Sequence, residues 1–520
     1  MSDNKKKAIL SSAVLLFVLS LVNKGLGFIK SMTIASVFGA TIQTDAYYVA
    51  EGLMQNALIP ISEAVAVSFL PIYITIKEKN KEEAHKFTSR TITDIFLLAL
   101  VLSGILYVVA PVLLKLMLPS YTADQVAMSV YYFRILIWGM CFYMSNQLLQ
   151  SLLNAEKQYG FSSFTAMMNN LILTAAVLLM GHKFGLSAMA MAVPFSYIAQ
   201  YLFLQIRSRD YGRLTIRYGW RDSRIWKLCL QAAPIFFGNA ICELNQLVDK
   251  SLLSGMETGS VTAVSYASVL YQFASNLISI PMTTIIYTEL AESFAAGKKE
   301  EGGAKLEKGI HISLFFCIPL SLFVMIAANL VVEITYGRGA FDAQAVAMTS
   351  EGLRYYGLCF LAYCLNALLF RACYSLNDTM LPMKVGLGTV SLNIVLSIIL
   401  AHFLGLKGVV LATAIANTLT SAVTMYIFNR TKIRIHLRQF MHSGIMILAA
   451  SVAGMLAAVF WIKSGIITNG ILLFITAACL DIGIYGVLMI LTKNEIMMEM
   501  LSIGKEFVGK RKGEYHYSGI

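Results

Sequence analysis

Residues 20–39, SLVNKGLGFIKSMTIASVFG, are apolar enough to cross a membrane yet carry two lysines, Lys24 and Lys30. An unpaired ammonium is unfavourable at bilayer depth, so such charges usually face the interior of a helix bundle or a wet cavity. Gly25 and Gly27 lie between the lysines and offer a hinge in a helix that is longer than the bilayer core. We therefore expect both lysines to line a functional cavity. The alternative is that both snorkel to an interface from a membrane anchor.

The second half of this segment recurs 220 residues later in the chain. IKSMTIASVFGAT, residues 29–41, aligns with DKSLLSGMETGSV, residues 249–261, which superposes Lys30 on Lys250. The same shift superposes Gly39 on Gly259 and Arg134 on Arg354. One offset that holds over so long a stretch indicates an internal duplication.

The composition predicts an all-α polytopic membrane protein. Of the 520 residues, 57% are hydrophobic and 13% are charged, whereas about 25% of the residues in soluble proteins are charged. The hydrophobic blocks are each long enough to span a hydrocarbon core of about 30 Å as a helix. We predict about fourteen spans, at residues 8–38, 45–76, 91–117, 126–153, 160–181, 185–206, 226–254, 261–290, 309–335, 349–375, 381–404, 407–428, 440–462 and 468–492. The first block shows no small-residue cleavage site, which favours an uncleaved span over a signal peptide.

The basic residues predict that both termini are cytoplasmic. With that orientation most of the 41 Lys and Arg residues fall in cytoplasmic segments, as the positive-inside rule requires. Those at the outer side are Lys115, Lys183, Arg338, Lys407 and Lys463. The net charge of +12 thus follows from topology, and no nucleic-acid partner is expected. The eight cysteines form no CxxC pair, so neither a metal site nor a disulfide is predicted.

The duplication predicts two parallel six-helix lobes, because an even number of spans returns the chain to the same membrane side. The lobes are residues 1–206 and 226–428, joined by a basic cytoplasmic linker, residues 207–225. Two extra transmembrane helices, residues 429–492, and a basic cytoplasmic tail, residues 493–520, follow. Transporters built from parallel repeats bind substrate between the lobes and rock them to alternate access.

Charged residues inside the predicted spans identify candidate cavity walls. They concentrate in spans 1 and 2 and in the repeat counterparts, spans 7 and 8. The basic candidates for binding an anionic group are Lys24, Lys30 and Lys250. The acidic candidates for polar contacts or ion coupling are Asp45, Glu51, Glu63, Glu243, Asp249 and Glu289. The candidate hinges are Gly25, Gly27, Pro60 and Pro281. Both signs of charge occur, which is compatible with an anionic substrate, ion-coupled transport or both. Arg134 and Arg354 either brace the repeat or contact substrate.

Three stretches carry a family resemblance: NKGLGFIKSMTIASVFGATIQTDAYYVAEGL at residues 23–53, SEAVAVSFLPIY at residues 62–73, and ELNQLVDKSLLSGMETGSVTAVSYASVLYQF at residues 243–273. They resemble the MurJ/MviN family of lipid II flippases, within the multidrug/oligosaccharidyl-lipid/polysaccharide exporter superfamily. The resemblance extends over essentially the whole chain and implies fourteen spans in a six-plus-six-plus-two plan.

The resemblance also implies roles for single residues. Lys24 and Lys30 match two basic positions, usually arginines, that are implicated in binding the lipid-linked pyrophosphate. Asp45 lies in the match to the TDA motif, Glu63 matches a second-span glutamate, and Asp249 matches an aspartate associated with a cation site in some members. The chain departs from the family at two further basic positions, which fall near Leu58 or Ile59 and on Val269.

These observations predict a flippase of the bacterial cytoplasmic membrane that works by alternating access. Its predicted substrate is a polyprenyl-(pyro)phosphate-linked cell-wall precursor, with lipid II as the first candidate, which it moves from the inner to the outer leaflet. The alternatives are a flippase for another polyprenyl-linked glycan, of capsule, exopolysaccharide or teichoic type, and a cation-coupled exporter of small molecules. A membrane polymerase or ligase of lipid-linked glycans is disfavoured because the short outer loops offer no acid/base constellation.

A flippase of this kind implies certain partners and a source of energy. No cofactor is expected, but coupling to Na⁺, H⁺ or the membrane potential is. The expected partners are an undecaprenyl-linked glycan lipid, membrane lipids and cell-wall synthesis enzymes, and the chain is expected to be a monomer.

Overall fold

The computed structural model describes residues 3–209, 211, 218, 219, 222–376, 378–433 and 437–502. Within these ranges every regular element is a helix, as predicted. The helices are α1 (Asp3–Phe38), α2 (Ile42–Lys79), α3 (Lys81–Met117), α4 (Ala123–Leu136), α5 (Met140–Ala155), α6 (Tyr159–Phe184), α7 (Leu186–Arg207), α8 (Ser223–Ser254), α9 (Ser260–Ala295), α10 (Lys299–Tyr336), α11 (Ala343–Tyr356), α12 (Cys359–Ser375), α13 (Met380–Leu404), α14 (Leu406–Thr431), α15 (Leu437–Lys463) and α16 (Gly470–Leu491).

Each predicted span corresponds to one helix or to one broken pair of helices. The fourth is interrupted by a 3₁₀ turn, Ile137–Gly139, between α4 and α5, and the tenth bends by 45° between α11 and α12. Among the described residues, eleven helices are long and apolar enough to cross a membrane, or twelve if the bent pair is one span. Neither α1 nor α8 is in that set. Both supply charged residues to the site described below.

The 220-residue offset recurs in the three-dimensional structure. The breaks that follow α4 and α11 begin at residues 137 and 357. Gly185 connects α6 to α7 and Gly405 connects α13 to α14, and their φ angles are 58° and 59°. Asn146 Nδ2 donates to a carbonyl of α7 at 3.0 Å, and Asn366 Nδ2 donates to a carbonyl of α14 at 3.2 Å. Contacts at equivalent positions thus support the duplicated unit inferred from the sequence.

The chain divides into two compact units whose limits differ from those of the predicted lobes. The first comprises Met1–Val269, Tyr336–Met348 and Ser397–Val409, and the second comprises the remaining described residues. The first unit includes α8 and the beginning of α9 because α8 packs along α2 and Asp45 binds the start of α9. The division into two six-helix lobes and two extra helices stays a prediction about the repeat.

The core of the first unit is built around α2. The aromatic side chains of Tyr47, Phe69 and Tyr73 on this helix are fully buried, and Phe69 stacks on Phe87 of α3 with ring centroids 5.7 Å apart. Helices at the perimeter instead expose apolar side chains, such as Leu179, which is 79% exposed. A buried aromatic core with an exposed apolar perimeter is the pattern expected of a protein surrounded by lipid.

A charged cluster joins the start of α8 to the start of α3. Arg224 Nη2 donates to Glu83 Oε1 and to Asp222 Oδ2, both at 2.6 Å, and Arg90 Nη1 donates to Asp222 Oδ2 at 3.2 Å. Hydrogen bonding from Arg224 holds the pKa of Asp222 below its usual range. The predicted linker, residues 207–225, ends in this cluster, and most of its other residues lie outside the described part of the chain.

Candidate functional site

The first turn of α2 holds Asp45 against the start of α9. Thr41 and Thr44 form a reciprocal capping box that begins α2, and the next residue, Asp45, is only 5% exposed. Its carboxylate accepts hydrogen bonds from Gly259 N at 2.6 Å, Thr262 N at 2.8 Å and Thr262 Oγ1 at 2.6 Å. A carboxylate at a helix N-terminus satisfies otherwise unpaired N–H groups and complements the helix dipole. Asp45 therefore lies in a buried helix-capping contact and not on an open cavity wall.

Three interhelical turns meet at this end of the first unit. Gly39, between α1 and α2, and Gly259, between α8 and α9, have φ angles of 64° and 91°, which favour glycine. Ala340 lies in the third turn, between α10 and α11. A Cβ at Gly39 would collide with the carbonyl of Ala340, and the N–H of Ala340 donates to Ser36 O at 2.8 Å. Backbone contacts thus close one end of the space between α1, α2 and α8.

A charged cluster lies further from that closed end and is formed by Lys30 of α1, Glu51 of α2 and Lys250 of α8. The Glu51 carboxylate interacts electrostatically with the ammonium groups of both lysines and accepts a hydrogen bond from Tyr47 Oη at 3.4 Å. Lys250 Nζ also donates to the carbonyl of Tyr48 at 3.1 Å. Two cations and one anion therefore converge from three helices.

Gly52 provides the space that Lys250 occupies. A Cβ added at Gly52 would collide with Nζ, Cδ and Cε of Lys250. The lysine side chain therefore lies across the backbone of α2 where that helix has no side chain. Packing over this glycine holds the Lys250 ammonium against the carbonyl of Tyr48, one turn before Gly52.

Exposure of the charged residues changes along the axis of this site. Lys24 and Glu63, far from the closed end, are exposed; Lys30, Glu51 and Lys250 are partly buried; Asp45 is buried. Lys24 lies 14 residues before the end of α1, about 21 Å along the helix, which is within a hydrocarbon core of about 30 Å. A charged side chain exposed at such a depth indicates access to water. The site is thus accessible from the side of Lys24 and Glu63.

Only two of the three predicted basic residues have a common charged neighbour in the structure. Lys30 and Lys250 share Glu51 as a neighbour. Lys24 precedes Lys30 by six residues, so the two project from α1 about 120° apart. Glu243 interacts electrostatically with Lys250 and with Glu63 and accepts a hydrogen bond from Gln246 at 2.8 Å. Glu243 thus extends the cluster along α8.

Tyrosine side chains surround the charged cluster. Tyr48 is in edge contact with Tyr47 and Tyr266, with ring centroids 5.6 and 5.7 Å apart, and Tyr266 packs on Tyr336 at 4.9 Å. None of the candidate site residues predicted from the sequence is aromatic. The adjacent pair Tyr47 and Tyr48, one helical turn before Glu51, was the available signal.

Asp249 faces a different helix from its neighbour Lys250. Its Oδ1 accepts a hydrogen bond from Ser397 Oγ of α13 at 2.8 Å, whereas Lys250 reaches α2. Successive residues on an α-helix point about 100° apart, which accounts for the separation. Asp249 is partly buried and lies apart from the lysine cluster.

The remaining candidates occupy continuous helices. Gly25 and Gly27 lie within unbroken α1, where Gly27 packs against Asn170 of α6, and Pro60 and Pro281 lie within unbroken α2 and α9. Their function as hinges stays a prediction. Glu289 is exposed near the end of α9 and belongs to the second unit.

Taken together, apolar helices long enough to span a membrane, a duplicated unit and a mid-depth charged site that is closed at one end define a multi-pass membrane transporter. The chain belongs to the lipid II flippase MurJ family, whose model matches residues 34–478. It is therefore a bacterial membrane transport protein of cell-wall synthesis and not an enzyme.

Similar proteins agree with that assignment. The chain is 23% identical over 411 residues to the probable lipid II flippase MurJ of Rickettsia prowazekii, covering 78% of this chain and 81% of the relative. It is 24% identical over 431 residues to the protein of the same name from Vibrio cholerae, covering 80% and 82%.

Solved structures share the fold. A lipid II flippase MurJ in an inward closed conformation superposes with a TM-score of 0.81 at 20% identity, covering 93% of this chain and 100% of that structure. Inward-facing and outward-facing forms of a multidrug resistance MATE family transporter superpose with TM-scores of 0.61 and 0.56 at 14% and 15% identity. They cover 78% and 81% of this chain and 98% and 95% of their own.

Proposed function

We propose that this protein moves lipid II from the inner to the outer leaflet of the bacterial cytoplasmic membrane by alternating access. The observation that carries the proposal is the graded burial of the charged site, from exposed Lys24 and Glu63 to buried Asp45. With cytoplasmic termini, α1 ends and α2 begins at the outer side. The site then opens toward the inner leaflet, where the substrate is made available, and is closed toward the outside.

The lysines supply the chemistry for a phosphate group. Lys30 and Lys250 approach Glu51 from two different helices, so a pyrophosphate that takes the place of Glu51 as their partner would join α1 to α8. Lysine is a compact point charge that binds phosphate without the bidentate geometry of arginine. Lys24, further toward the open side, is positioned to meet the phosphate first. The polyprenyl tail stays in the lipid during the transfer.

The contact between Asp45 and α9 is the element that must open for outward release. Three hydrogen bonds to one carboxylate hold the start of α9 on α2. Transporters with parallel repeats alternate between two arrangements of their helices. The same fold occurs in inward-facing and outward-facing transporters of the multidrug resistance MATE family, which supports a rocking mechanism.

Ion coupling through Asp249 would give the cycle its direction. Its carboxylate meets a hydroxyl of α13 and lies outside the lysine cluster, so a bound Na⁺ or H⁺ would act on the contact between α8 and α13 without competing for the phosphate. The membrane potential is the alternative source of direction.

A second substrate class is a glycan linked to the lipid through one phosphate. The two basic positions that the family has and this chain lacks fall near Leu58 or Ile59 and on Val269, which leaves fewer cations for a pyrophosphate. This candidate stays within the flippase function.

The test is equilibrium binding of fluorescent lipid II to the purified protein in nanodiscs. We expect binding that weakens at least tenfold in the Lys30→Ala/Lys250→Ala variant and is unchanged in Lys183→Ala, an exposed lysine at the end of α6. Competition with a monophosphate-linked glycan lipid decides between the substrate classes. Binding that does not respond to the double substitution would refute the phosphate assignment.

A further inference from the structure

A large groove lies on the first unit at the end of α3 and the beginning of α4. Its volume is about 1340 Å³, above the range of about 300–1,000 Å³ for pockets that bind small molecules. The walls are mainly apolar and include Tyr107, Leu116, Tyr131 and Trp138. Leu116 is 77% exposed, so the groove opens onto the lipid-facing perimeter. It is formed by other helices than those of the charged site.

Two cations point into this apolar groove. Lys115 and Arg134 both line it, and none of the described lining residues is acidic. Helical side chains lean toward the N-terminus of their own helix. The end of α3 and the beginning of α4 lie at the same side of the membrane. Lys115, near the end of α3, therefore leans from that side toward the membrane interior, whereas Arg134 leans from the interior toward that side. The two side chains therefore converge from opposite ends of the groove.

Arg134 is held in place by its neighbour on α3. Its Nε donates to the carbonyl of Tyr107 at 3.2 Å, and its guanidinium carbon lies 4.6 Å from the centroid of the Tyr107 ring. This geometry orients the guanidinium and leaves its outer edge toward the groove. A cation on a lipid-facing surface is unfavourable unless an anion neutralises it.

The second unit also places an arginine and a lysine together in an apolar groove, but its lysine comes from a helix that is not the counterpart of α3. Arg354, 220 residues after Arg134, donates from Nε to the carbonyl of Met325 on α10 at 3.2 Å. It lines a smaller groove of about 410 Å³ together with Lys463, the last residue of α15. The position 220 residues after Lys115 holds Thr335, so the lysine of this pair comes from outside the repeat. The same combination of arginine and lysine in an apolar groove thus arises twice.

We propose that the groove at Lys115 and Arg134 binds an anionic phospholipid, with its phosphate between the two cations and its acyl chains along the apolar walls. The charge of the groove argues for this occupant, since both charged lining residues are basic and a transmembrane helix would bring no phosphate to them. The smaller groove at Arg354 and Lys463 is the corresponding site of the second unit. With the proposed orientation both sites lie in the outer leaflet.

Trp138 provides a direct readout because it lines the groove. The full-length protein with Trp220→Phe, Trp226→Phe and Trp461→Phe keeps Trp138 as its one tryptophan. It is reconstituted in phosphatidylcholine vesicles that contain brominated phosphatidylglycerol or brominated phosphatidylethanolamine, and quenching gives the relative affinity for each lipid. We expect a preference of about thirtyfold for phosphatidylglycerol, the scale of two basic residues acting on an anionic lipid.

The variants separate a lipid site from general attraction to charge. Lys115→Gln/Arg134→Gln should abolish the preference, and Lys183→Gln, which removes an exposed lysine at the end of α6, should keep it. Lys115 is exposed at the end of α3, so Lys115→Gln alone should fold and lower the preference to about fivefold, as expected for loss of one of two cations. Equal quenching by both lipids, or a preference that survives these substitutions, would overturn the proposal. Absence of quenching by either lipid would mean that protein covers the groove and would overturn it as well.

Discussion

Asp45 and Thr262 are joined by two hydrogen bonds, from the backbone N–H of Thr262 at 2.8 Å and from its hydroxyl at 2.6 Å. The first residue lies in the first turn of α2 and the second in the first turn of α9. Under the 220-residue repeat these two helices are counterparts. One buried carboxylate thus ties together the equivalent helices of the two repeats at the closed end of the charged site.

Replacing Asp45 by Asn should weaken this contact. The amide has one acceptor oxygen instead of two, and its NH₂ group would face backbone N–H donors at the start of α9. We expect a loss of stability of about 1–3 kcal/mol, the cost of leaving a buried donor unsatisfied, seen as a lower melting temperature of the purified protein. Thr262→Ser, which keeps the hydroxyl, should melt like the wild type. An unchanged melting temperature in Asp45→Asn would contradict the structural role of this carboxylate.

Glu51→Gln should strengthen the binding of lipid II and destabilise the protein without substrate. The substitution removes the anion that Lys30 and Lys250 share, so both ammonium groups become available to phosphate. We expect affinity to rise about two- to fivefold, the scale of a partly exposed charge pair. Glu63→Gln removes an exposed carboxylate from the same helix and should change the affinity little. Weaker binding in Glu51→Gln would show that Glu51 contacts the substrate directly.

Gly52→Ala should impair flipping by displacing Lys250. The new Cβ would occupy the position of the lysine side chain, and Lys250 would lose its hydrogen bond to Tyr48 O. We expect at least a fivefold lower flipping rate, the scale of one lost hydrogen bond from a charged group. Gly104→Ala in α3 is the matched control, since its Cβ meets no atom within 4 Å. It should retain full activity and gain about 0.5–1 kcal/mol of stability. Equal activity of the two variants would exclude a requirement for the position of Lys250.

Asp249→Asn should uncouple transport from the ion that drives it. If a Na⁺ or H⁺ gradient acts through this carboxylate, the flipping rate of the variant in vesicles should no longer respond when the gradient is imposed or dissipated. Asp481→Asn, which changes a buried carboxylate of α16, should keep the response. A gradient response that persists in Asp249→Asn would contradict coupling through this carboxylate, and no gradient response in the wild type would leave the membrane potential as the source of direction.

The sequence predicted the helices well because hydrophobic length is a local property. The predicted second span, residues 45–76, lies within α2, Ile42–Lys79, and the same holds for most other spans. The breaks at Ile137–Gly139 and after Tyr356 were not predicted, since neither contains a proline and both lie within apolar runs.

The contacts of the site were less predictable because they join distant parts of the chain. The sequence identified Lys30, Lys250 and Glu51 as charged residues within spans, but not that one carboxylate interacts electrostatically with both lysines. Asp45 was grouped with them because its partners, Gly259 and Thr262, lie more than 210 residues away. Gly52 gave no signal, since a glycine within a helix does not reveal which side chain will cover it.

Transfer of lipid II to the outer leaflet is proposed to depend on Lys30 and Lys250. The most direct measurement is the amount of lipid II exposed on the outer face of cells depleted of their own flippase, with and without this protein. The wild type and Lys183→Ala should restore exposure, and a stably inserted Lys30→Ala/Lys250→Ala variant should not. Restoration by the double variant would contradict the assigned site, and no restoration by a correctly inserted wild type would contradict lipid II as the substrate.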